Sequence, residues 1–409
     1  MPESVVIIGG GISGIAAGTL CRKHNIPCIV VNDGAGVSLP PGKTVVVSPG
    51  VHPAKSPLYQ QAEAEKREII SEMEFGFRRW HRPVLAITGT NGKTTTTELT
   101  VHLLNCCGVK AAAAGNIGRP LSDLASDPQD TEVAVVEVSS FQLEKVEKFA
   151  PLAAAILNFA SDHLDRYPDG FTGYCNVKKR IFEHVVPENR IWGLSFGDDC
   201  SRRVTVDAGI LYVDGEKIFD LRESDLPGTH NEENCAAAVE LILRILPLET
   251  VKSLQFKQAL TSFRRGRHRI EKVGVFHGVT YIDDSKGTNP AAVLAAVDSC
   301  KDGKIVILLG GLGKGMDFSV LASRADRFRA AVVYGADRER IARVLDGVCP
   351  VYIFTDDFAA VVKCAGELAL PGDTVLLSPA CASMDMFKNY AERGECFREL
   401  AIQISGGQK

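Results

Sequence analysis

Val84-Leu85-Ala86-Ile87-Thr88-Gly89-Thr90-Asn91-Gly92-Lys93-Thr94-Thr95 is the stretch on which the fold of this chain turns. Its first five residues form an apolar run of strand length, followed by a glycine turn and a helical pattern that reaches Asn105. Glycines let successive backbone N–H groups converge on phosphate oxygens, and the following helix adds the positive end of its dipole. Lys93 is placed to reach terminal phosphates, and the Thr94 hydroxyl suits Mg²⁺. The segment is shorter than the general G-x-x-x-x-G-K-[ST] loop. A helix start carrying a solvated lysine is the bland alternative. The strand before and the threonines after count against it.

Upstream, Val5–Ile8, a glycine turn, a helical pattern through Leu20 and Ile29–Val31 make the first half of a nucleotide-binding α/β unit. The next apolar run, Val45–Val47, follows an interval containing Pro40-Pro41-Gly42 but no helix pattern. A parallel crossover normally takes about a dozen residues or more, usually helical. The first domain therefore reads as trimmed, over residues 1–82. Downstream, strands are expected at Ala111–Ala114, Val133–Val138 and Ala153–Leu157. Short strands and turns are expected over residues 197–223, and helices over Tyr174–His184 and Glu232–Ile245. These form a central domain, residues 83–265. Strands at Thr280–Asp283, Ile305–Leu309, Ala331–Tyr334, Val351–Phe354 and Val375–Leu377 alternate with helix-length segments over residues 266–409, which implies a mostly parallel sheet. The fold class is α/β in three domains: a trimmed Rossmann-like N-terminal domain, a central P-loop ATPase-like domain and a C-terminal Rossmann-like domain.

Bulk properties agree. At 409 residues the chain exceeds what one core usually supports. Its composition, 45% hydrophobic and 23% charged, gives no reason to invoke disorder. A net charge of -4 argues against a nucleic-acid grip built on bulk charge. The 12 cysteines include no C-x-x-C pair, so they read as small buried hydrophobes. Met1-Pro2-Glu3-Ser4 lacks the basic segment of a signal peptide, and no apolar run is long enough to span a bilayer. A cytoplasmic protein without membrane insertion is expected.

Six further segments accompany the loop: Gly115-Asn116-Ile117-Gly118, Glu137-Val138-Ser139-Ser140-Phe141-Gln142-Leu143, Asp162-His163-Leu164-Asp165-Arg166-Tyr167, Gly266-Arg267-His268-Arg269, Asp284-Ser285-Lys286-Gly287-Thr288-Asn289 and Ser378-Pro379-Ala380-Cys381-Ala382-Ser383. With Thr88–Thr96, in this order and spacing, the chain resembles the Mur ligase family nearly end to end. That family joins amino acids to the peptide stem of cell-wall precursors. The compact glycine-turn domain and the segment Ser378–Phe387 are most similar to the members that add D-glutamate to UDP-N-acetylmuramoyl-L-alanine.

The resemblance implies ATP and Mg²⁺, two ions, as cofactors. Glu137 and His163 match the family's metal residues beside Thr94. Lys178 matches a carbamylated lysine, in the setting of Tyr174, Arg180, Ile181, Phe182 and Glu183. Lys179, adjacent, is the rival for that role, and a lysine run is otherwise a solvated face. Asn234 matches an adenine contact, although it or Asn231 could instead cap a helix. Arg269 and Asp284 match nucleotide contacts, with a salt bridge the other reading of Arg269.

Gly9-x-Gly11-x-x-Gly14 with Asn32-Asp33 beyond it fits a dinucleotide fingerprint, which supports a rival reading as a flavin or nicotinamide oxidoreductase. In the resembling enzymes this turn instead holds the uridine diphosphate of the sugar substrate. Ile12, Ser13, Asn32 and Gly50 then stand at contact positions, with Asn116 reaching the same substrate. Thr288, Lys314, Ser378 and Phe387 match contacts to D-glutamate, and Lys286 is placed for the transferring phosphate or the substrate carboxylate. Cys381 has no His–acid arrangement to make it a nucleophile. The implied reaction passes through an acyl phosphate, attacked by the D-glutamate amine, with Lys93, Glu137, His163, Lys178 and Lys286 as the catalytic set. Closure of the third domain over the second would exclude water, and a monomer is expected. A nucleotide-binding protein without catalysis is the third reading, which that intact set speaks against.

Overall fold

In the computed structural model the start of the chain folds as a four-stranded parallel sheet: β1 (Val5–Ile8), β2 (Cys28–Val31), β3 (Thr44–Val47) and β4 (Glu68–Ser71), in the order β2-β1-β3-β4. The structure describes residues 4–197, 202–226, 228–300 and 303–406. Helix α1 (Ile12–Lys23) joins β1 to β2, but no helix joins β2 to β3. The face left open is closed by Leu39, from that connection, and by Leu58, Tyr59 and Ala62 of helix α2 (Pro57–Ala64). Helix α3 (Glu72–Phe77) follows β4 directly.

Strand β5 (Val84–Thr88) is buried along its length at the centre of a second parallel sheet. Its neighbours are β6 (Ala111–Gly115), β7 (Val133–Glu137), β8 (Ala153–Ile156) and β9 (Arg190–Trp192), in the order β6-β7-β5-β8-β9. A strand buried on both faces reads as a continuous apolar run, which is why this element is so plain in the sequence. Its side chains alternate between two cores. Leu85 and Ile87 pack with helices α4 (Lys93–Cys106) and α6 (Thr229–Ile242). Val84 and Ala86 face the side covered by helix α5 (Leu121–Ser126), where the same core takes in Val5 and Ile7 of the first sheet and Leu20 of α1. Strands β10 (Val204–Asp207), β11 (Ile210–Val213) and β12 (Glu216–Asp220) form a small antiparallel sheet within the expected region of short strands. Residues 198–201 of that region, Cys200 among them, lie outside the described residues.

The last sheet runs β13-β14-β18-β15-β16-β17, with β13 (Glu271–Phe276), β14 (Val279–Asp283), β15 (Ile305–Gly310), β16 (Phe328–Tyr334), β17 (Val351–Ile353) and β18 (Thr374–Leu377). Five of the six are parallel, as expected. β13 pairs antiparallel with β14 through a tight turn. Ile305, Ile307 and Leu309 fill one core and Val306 and Leu308 the other. The chain thus holds three largely parallel α/β sheets. It divides into two compact units, Met1–Phe159 with Thr172–Arg264, and Ala160–Phe171 with Arg265–Lys409. Among the described residues no helix is long and apolar enough to cross a membrane.

One helix differs from expectation. Instead of Tyr174–His184, the α-helix spans Gly170–Lys179 and gives way to a 3-10 turn, Arg180–Phe182. The Arg180 guanidinium donates to the carbonyls of Leu143, Glu144 and Val146, which pulls the chain off the helical path there.

Candidate functional site

The connection from β5 into α4 is shaped by its glycines. Gly92 has φ +85°, and a Cβ there would sit 2.0 Å from Asn234 Oδ1, so only glycine fits. The Thr96 hydroxyl donates to that same oxygen at 3.2 Å, which ties Asn234 of α6 to the loop rather than to its own helix cap. Asn158, beyond β8, holds the other side. Its Oδ1 accepts from Asn91 N at 2.9 Å, and its Nδ2 donates to Glu233 Oε2 at 3.0 Å. Lys93 folds back over the loop and donates to the carbonyls of Gly89 and Thr90, each at 2.9 Å. Thr95 is buried against the sheet. The cradle therefore has the donors for a polyphosphate, with the lysine poised over it.

Glu137 closes β7 at 2% exposure. Its Oε2 accepts from the Thr94 hydroxyl and its Oε1 from Asn116 Nδ2, both at 2.7 Å. A carboxylate and a hydroxyl held together beside a phosphate loop are the hard oxygen donors that Mg²⁺ takes. Lys178 is 1% exposed; its ammonium donates to Gly89 O at 2.8 Å and lies 4.8 Å from the Tyr174 ring centre. Tyr174 in turn shares a 3.1 Å hydrogen bond with Thr90. Lys179 is exposed. Of the two adjacent lysines, then, Lys178 is the one turned onto the loop.

In the second unit the loop after β14 carries Asp284 and Lys286. The Ser378 hydroxyl donates to Asp284 Oδ2 at 2.7 Å and Ile270 N to Oδ1 at 3.2 Å. Burial pushes the Asp284 carboxyl up to about 7, against these hydrogen bonds and the charge of half-buried Arg269. The Lys286 ammonium lies 3.8 Å from the centre of the Tyr390 ring, a cation–π contact. Thr288 is half-buried, next to Asn289, which caps the helix Pro290–Ser299. Lys314, with φ +46°, sends its ammonium to 3.4 Å from His163 Nε2 and 3.8 Å from Asp162 Oδ1. Asp162 Oδ1 is itself buried without a hydrogen bond.

Ser378 is fully buried with its hydroxyl committed to Asp284, and Phe387 stacks edge-on against Phe358 at 5.0 Å, beside that unit's core. Cys381 is buried too, and its thiol is pushed far above the usual range by desolvation, the opposite of an activated nucleophile. Among the described residues one other trio, His268, Glu271 and Asp283, has metal-ligand proximity. Its members bond one another, at 2.7 Å for His268 Nδ1 to Asp283, and Glu271 pairs with Arg398 at 2.8 Å. It reads as an ion-pair cluster bracing the loop that carries Arg269.

At the N-terminal turn, Ile12, Ser13, Asn32 and Gly50 all line one cleft of about 710 Å³. Gly14 lets α1 approach the turn, since a Cβ there would meet Gly9 O at 1.9 Å. Asn32 Oδ1 accepts from Gly10 N at 2.7 Å, so the position where a dinucleotide fold offers a ribose-binding carboxylate is an amide tied to the turn. Asp33 accepts from Leu58 N at 3.1 Å and so anchors α2. Asn116 stands with Glu137.

The structure gathers Gly89, Asn91, Gly92, Lys93, Thr94, Asn116, Glu137, Lys178 and Asn234 in the first unit; in the second, Asp284, Lys286 and Thr288 share one loop and Lys314 meets His163. Sequence reasoning missed Asn158 and Glu233, which hold the loop, and Tyr390 beneath Lys286. Asn158 had a signal: it follows an apolar parallel strand at its carboxyl end, where ligands bind in such sheets.

Two family models match the chain: Mur ligase middle domain over residues 87–209, and Mur ligase, glutamate ligase domain over residues 268–381. Proteins called UDP-N-acetylmuramoylalanine–D-glutamate ligase are similar over most of the length. The one from Desulfosudis oleivorans is 40% identical, covering 89% of this chain and 83% of its own. That from Geotalea uraniireducens is 37% identical, covering 89% and 84%. The one from Cytophaga hutchinsonii is 33% identical over 99% of this chain and 100% of its own. In fold the chain is similar to UDP-N-acetylmuramate-alanine ligase of Thermotoga maritima, with TM-score 0.61, 18% identity and coverage of 98% and 100%. It is also similar to MurF of Acinetobacter baumannii, with TM-score 0.62, 17% identity and coverage of 95% and 98%.

Proposed function

The chain belongs to the Mur ligase family, and from that membership we propose that it is an ATP-dependent, ADP-forming ligase that joins D-glutamate to UDP-N-acetylmuramoyl-L-alanine in peptidoglycan precursor synthesis. The observation that carries the chemistry is the Glu137 carboxylate fixed to Thr94 at 2.7 Å within the phosphate loop. The names borne by its relatives supply the acceptor and the amino acid.

A carboxylate is a poor electrophile, so amide formation needs activation first. Transfer of the ATP γ-phosphoryl group to the alanyl carboxylate gives an acyl phosphate and ADP. The D-glutamate amine attacks that carbonyl, and the tetrahedral intermediate collapses to amide and phosphate. Lys93 and the Gly89–Gly92 amides grip the phosphates; Asn234 serves the adenine, and Arg269 and Asp284 the rest of the nucleotide. Lys286 stabilises charge on the transferring phosphate, while Thr288 and Lys314 take the D-glutamate carboxylates. His163 orients the amine. Of the four residues proposed for metal, Thr94, Glu137 and Lys178 belong to the first unit and His163 to the second. Held by these residues, Mg²⁺, as two ions, would supply charge neutralisation between the two reacting anions. Cytoplasmic location and a monomeric state belong to the same proposal.

Phosphate release measured across a panel of amino acids tests the assignment. D-glutamate is expected to give the highest turnover, and equal or faster turnover with L-alanine or diaminopimelate overturns it. Lys178 enters as its carbamate, formed when its neutral amine adds CO₂ and releases a proton. Carbon-13 NMR in labelled bicarbonate is expected to show a carbamate resonance that survives Lys179→Arg and disappears in Lys178→Arg. A signal that persists in Lys178→Arg removes this lysine from the metal set.

A further inference from the structure

The N-terminal cleft holds two side chains that nothing above has used. The chain leaves β3 through Ser48, Pro49 and Gly50 and makes one tight turn, in which Lys55 N and Ser56 N both donate to His52 O at 3.0 Å. That turn sets Lys55 just ahead of Ser56, the cap of α2, and lines the cleft with both Lys55 and His52. Across from it stand the glycine turn and the start of α1, whose cap position is Gly11 with no side chain to close the first-turn N–H groups.

Among the described residues lining this cleft, Lys55 is the one lysine or arginine and Asp33 the one carboxylate. The cleft therefore has no surplus positive charge unless Lys55 contributes it, yet the substrate proposed for it carries a diphosphate. Lys55 is exposed, so its ammonium is free to turn toward a ligand. His52 is held by its other nitrogen: Nδ1 accepts from Ala54 N at 3.2 Å, which leaves Nε2 as the ring nitrogen that can donate. An ammonium, an imidazole N–H and open helix-terminal N–H groups are the donors a diphosphate recruits, whereas a uracil or ribose needs no cation.

We infer that Lys55, assisted by His52, is the diphosphate-recognising residue of the N-terminal cleft and sets its preference for a nucleoside diphosphate over the bare nucleoside. This rests on the uridine-linked substrate proposed above. Loss of Lys55 does more than remove an attraction. It leaves Asp33 as the formal charge among the lining residues, and like charges at close range repel.

Calorimetric titration of the full-length protein with UDP and with uridine separates the possibilities. Lys55→Ala is expected to weaken UDP binding by roughly tenfold, the scale of one hydrogen bond to a charged group, while uridine binding stays unchanged. The salt dependence of UDP binding should flatten in Lys55→Ala and return in Lys55→Arg. In turnover the KM for the uridine substrate should rise, with those for ATP and D-glutamate unaltered. Lys43→Ala, just before β3 and outside the cleft, is expected to match the wild type. UDP affinity in Lys55→Ala within about twofold of wild type overturns the inference, as does an equal loss of uridine, which marks a disturbed turn rather than a lost phosphate contact. If wild-type protein binds neither UDP nor uridine, the substrate reading itself fails, and the inference fails with it.

Discussion

Lys93→Ala is expected to abolish phosphate release while leaving the protein folded. The side chain is half-buried and its ammonium bonds two loop carbonyls at 2.9 Å each. Gly89 O still accepts from Lys178 at 2.8 Å and only Thr90 O loses its lysine donor, so the truncation costs stability on the order of 1–2 kcal/mol. The catalytic loss is larger. Removing one preorganised donor from a site where charge develops typically costs about 10²–10³ in rate, and a full positive charge on the transferring phosphoryl group lies at the upper end or beyond. The variant should therefore fall below about 1% of wild-type turnover with D-glutamate, with its melting temperature lowered by only a few degrees. Phosphate release and thermal melting decide it together. Turnover within about tenfold of wild type sinks the phosphate-grip reading of Lys93. A large fall in melting temperature with unchanged turnover would make the lysine a loop staple. A protein that binds ATP without chemistry would show altered ATP affinity and no turnover to lose. Lys93→Arg keeps the charge but replaces a compact ammonium with a planar fork, so it should recover little.

Why that loop was legible, and other parts of the molecule were not, has physical causes. Val84–Thr88 is buried on both faces, so its pattern is unbroken, and the glycines after it are demanded by backbone conformation and by the approach of Asn234. Both are local properties written in the residues themselves. Strand β13 was missed because Glu271–Phe276 is an edge strand with half-exposed positions, interrupted by Gly274 and a bulge between Lys272 and Gly274. Helix α3 was hidden for a tertiary reason. Gly76 breaks its pattern because a Cβ there would lie 2.5 Å from Ser122 N, so the close packing of α3 on α5 selects a poor helix former. The site shows the same division. Lys93 and Thr94 follow from the loop alone, whereas the Lys314–His163 contact joins positions 151 residues apart and no spacing rule encodes it. Ser378 and Phe387 were singled out by resemblance, which carries residue identity but not orientation. The Ser378 bond to Asp284 and the packing of part-buried Phe387 on Phe358 are visible only once the sheet is assembled.

Glu137→Gln is expected to remove metal-dependent turnover without disturbing the scaffold around it. In the native protein the carboxylate takes two hydrogen bonds of 2.7 Å, from the Thr94 hydroxyl and from Asn116 Nδ2, at 2% exposure. Glutamine has the same shape. Its oxygen still accepts from Asn116, and its amide can donate to Thr94 once that hydroxyl rotates to accept. Both contacts thus persist in weaker form, at a cost of about 1 kcal/mol. What disappears is the negative charge, and a neutral amide oxygen is a far poorer ligand for a dication than a carboxylate. Two readings of Glu137 therefore part. If it only anchors Thr94 and Asn116, glutamine serves nearly as well and turnover stays within about tenfold. If it holds Mg²⁺ against the phosphates, turnover drops by about 10³ and the Mg²⁺ concentration for half-maximal rate rises by at least roughly tenfold. A Mg²⁺ titration of phosphate release, run beside a melting curve, reads both quantities. The KM for the uridine substrate should stay near its native value, because Asn116 remains in place. That split assigns the loss to the metal rather than to a collapsed neighbour. Native-like Mg²⁺ dependence in a slow Glu137→Gln would instead move the metal's anchor elsewhere in the loop and leave Glu137 as the strut between β7 and α4.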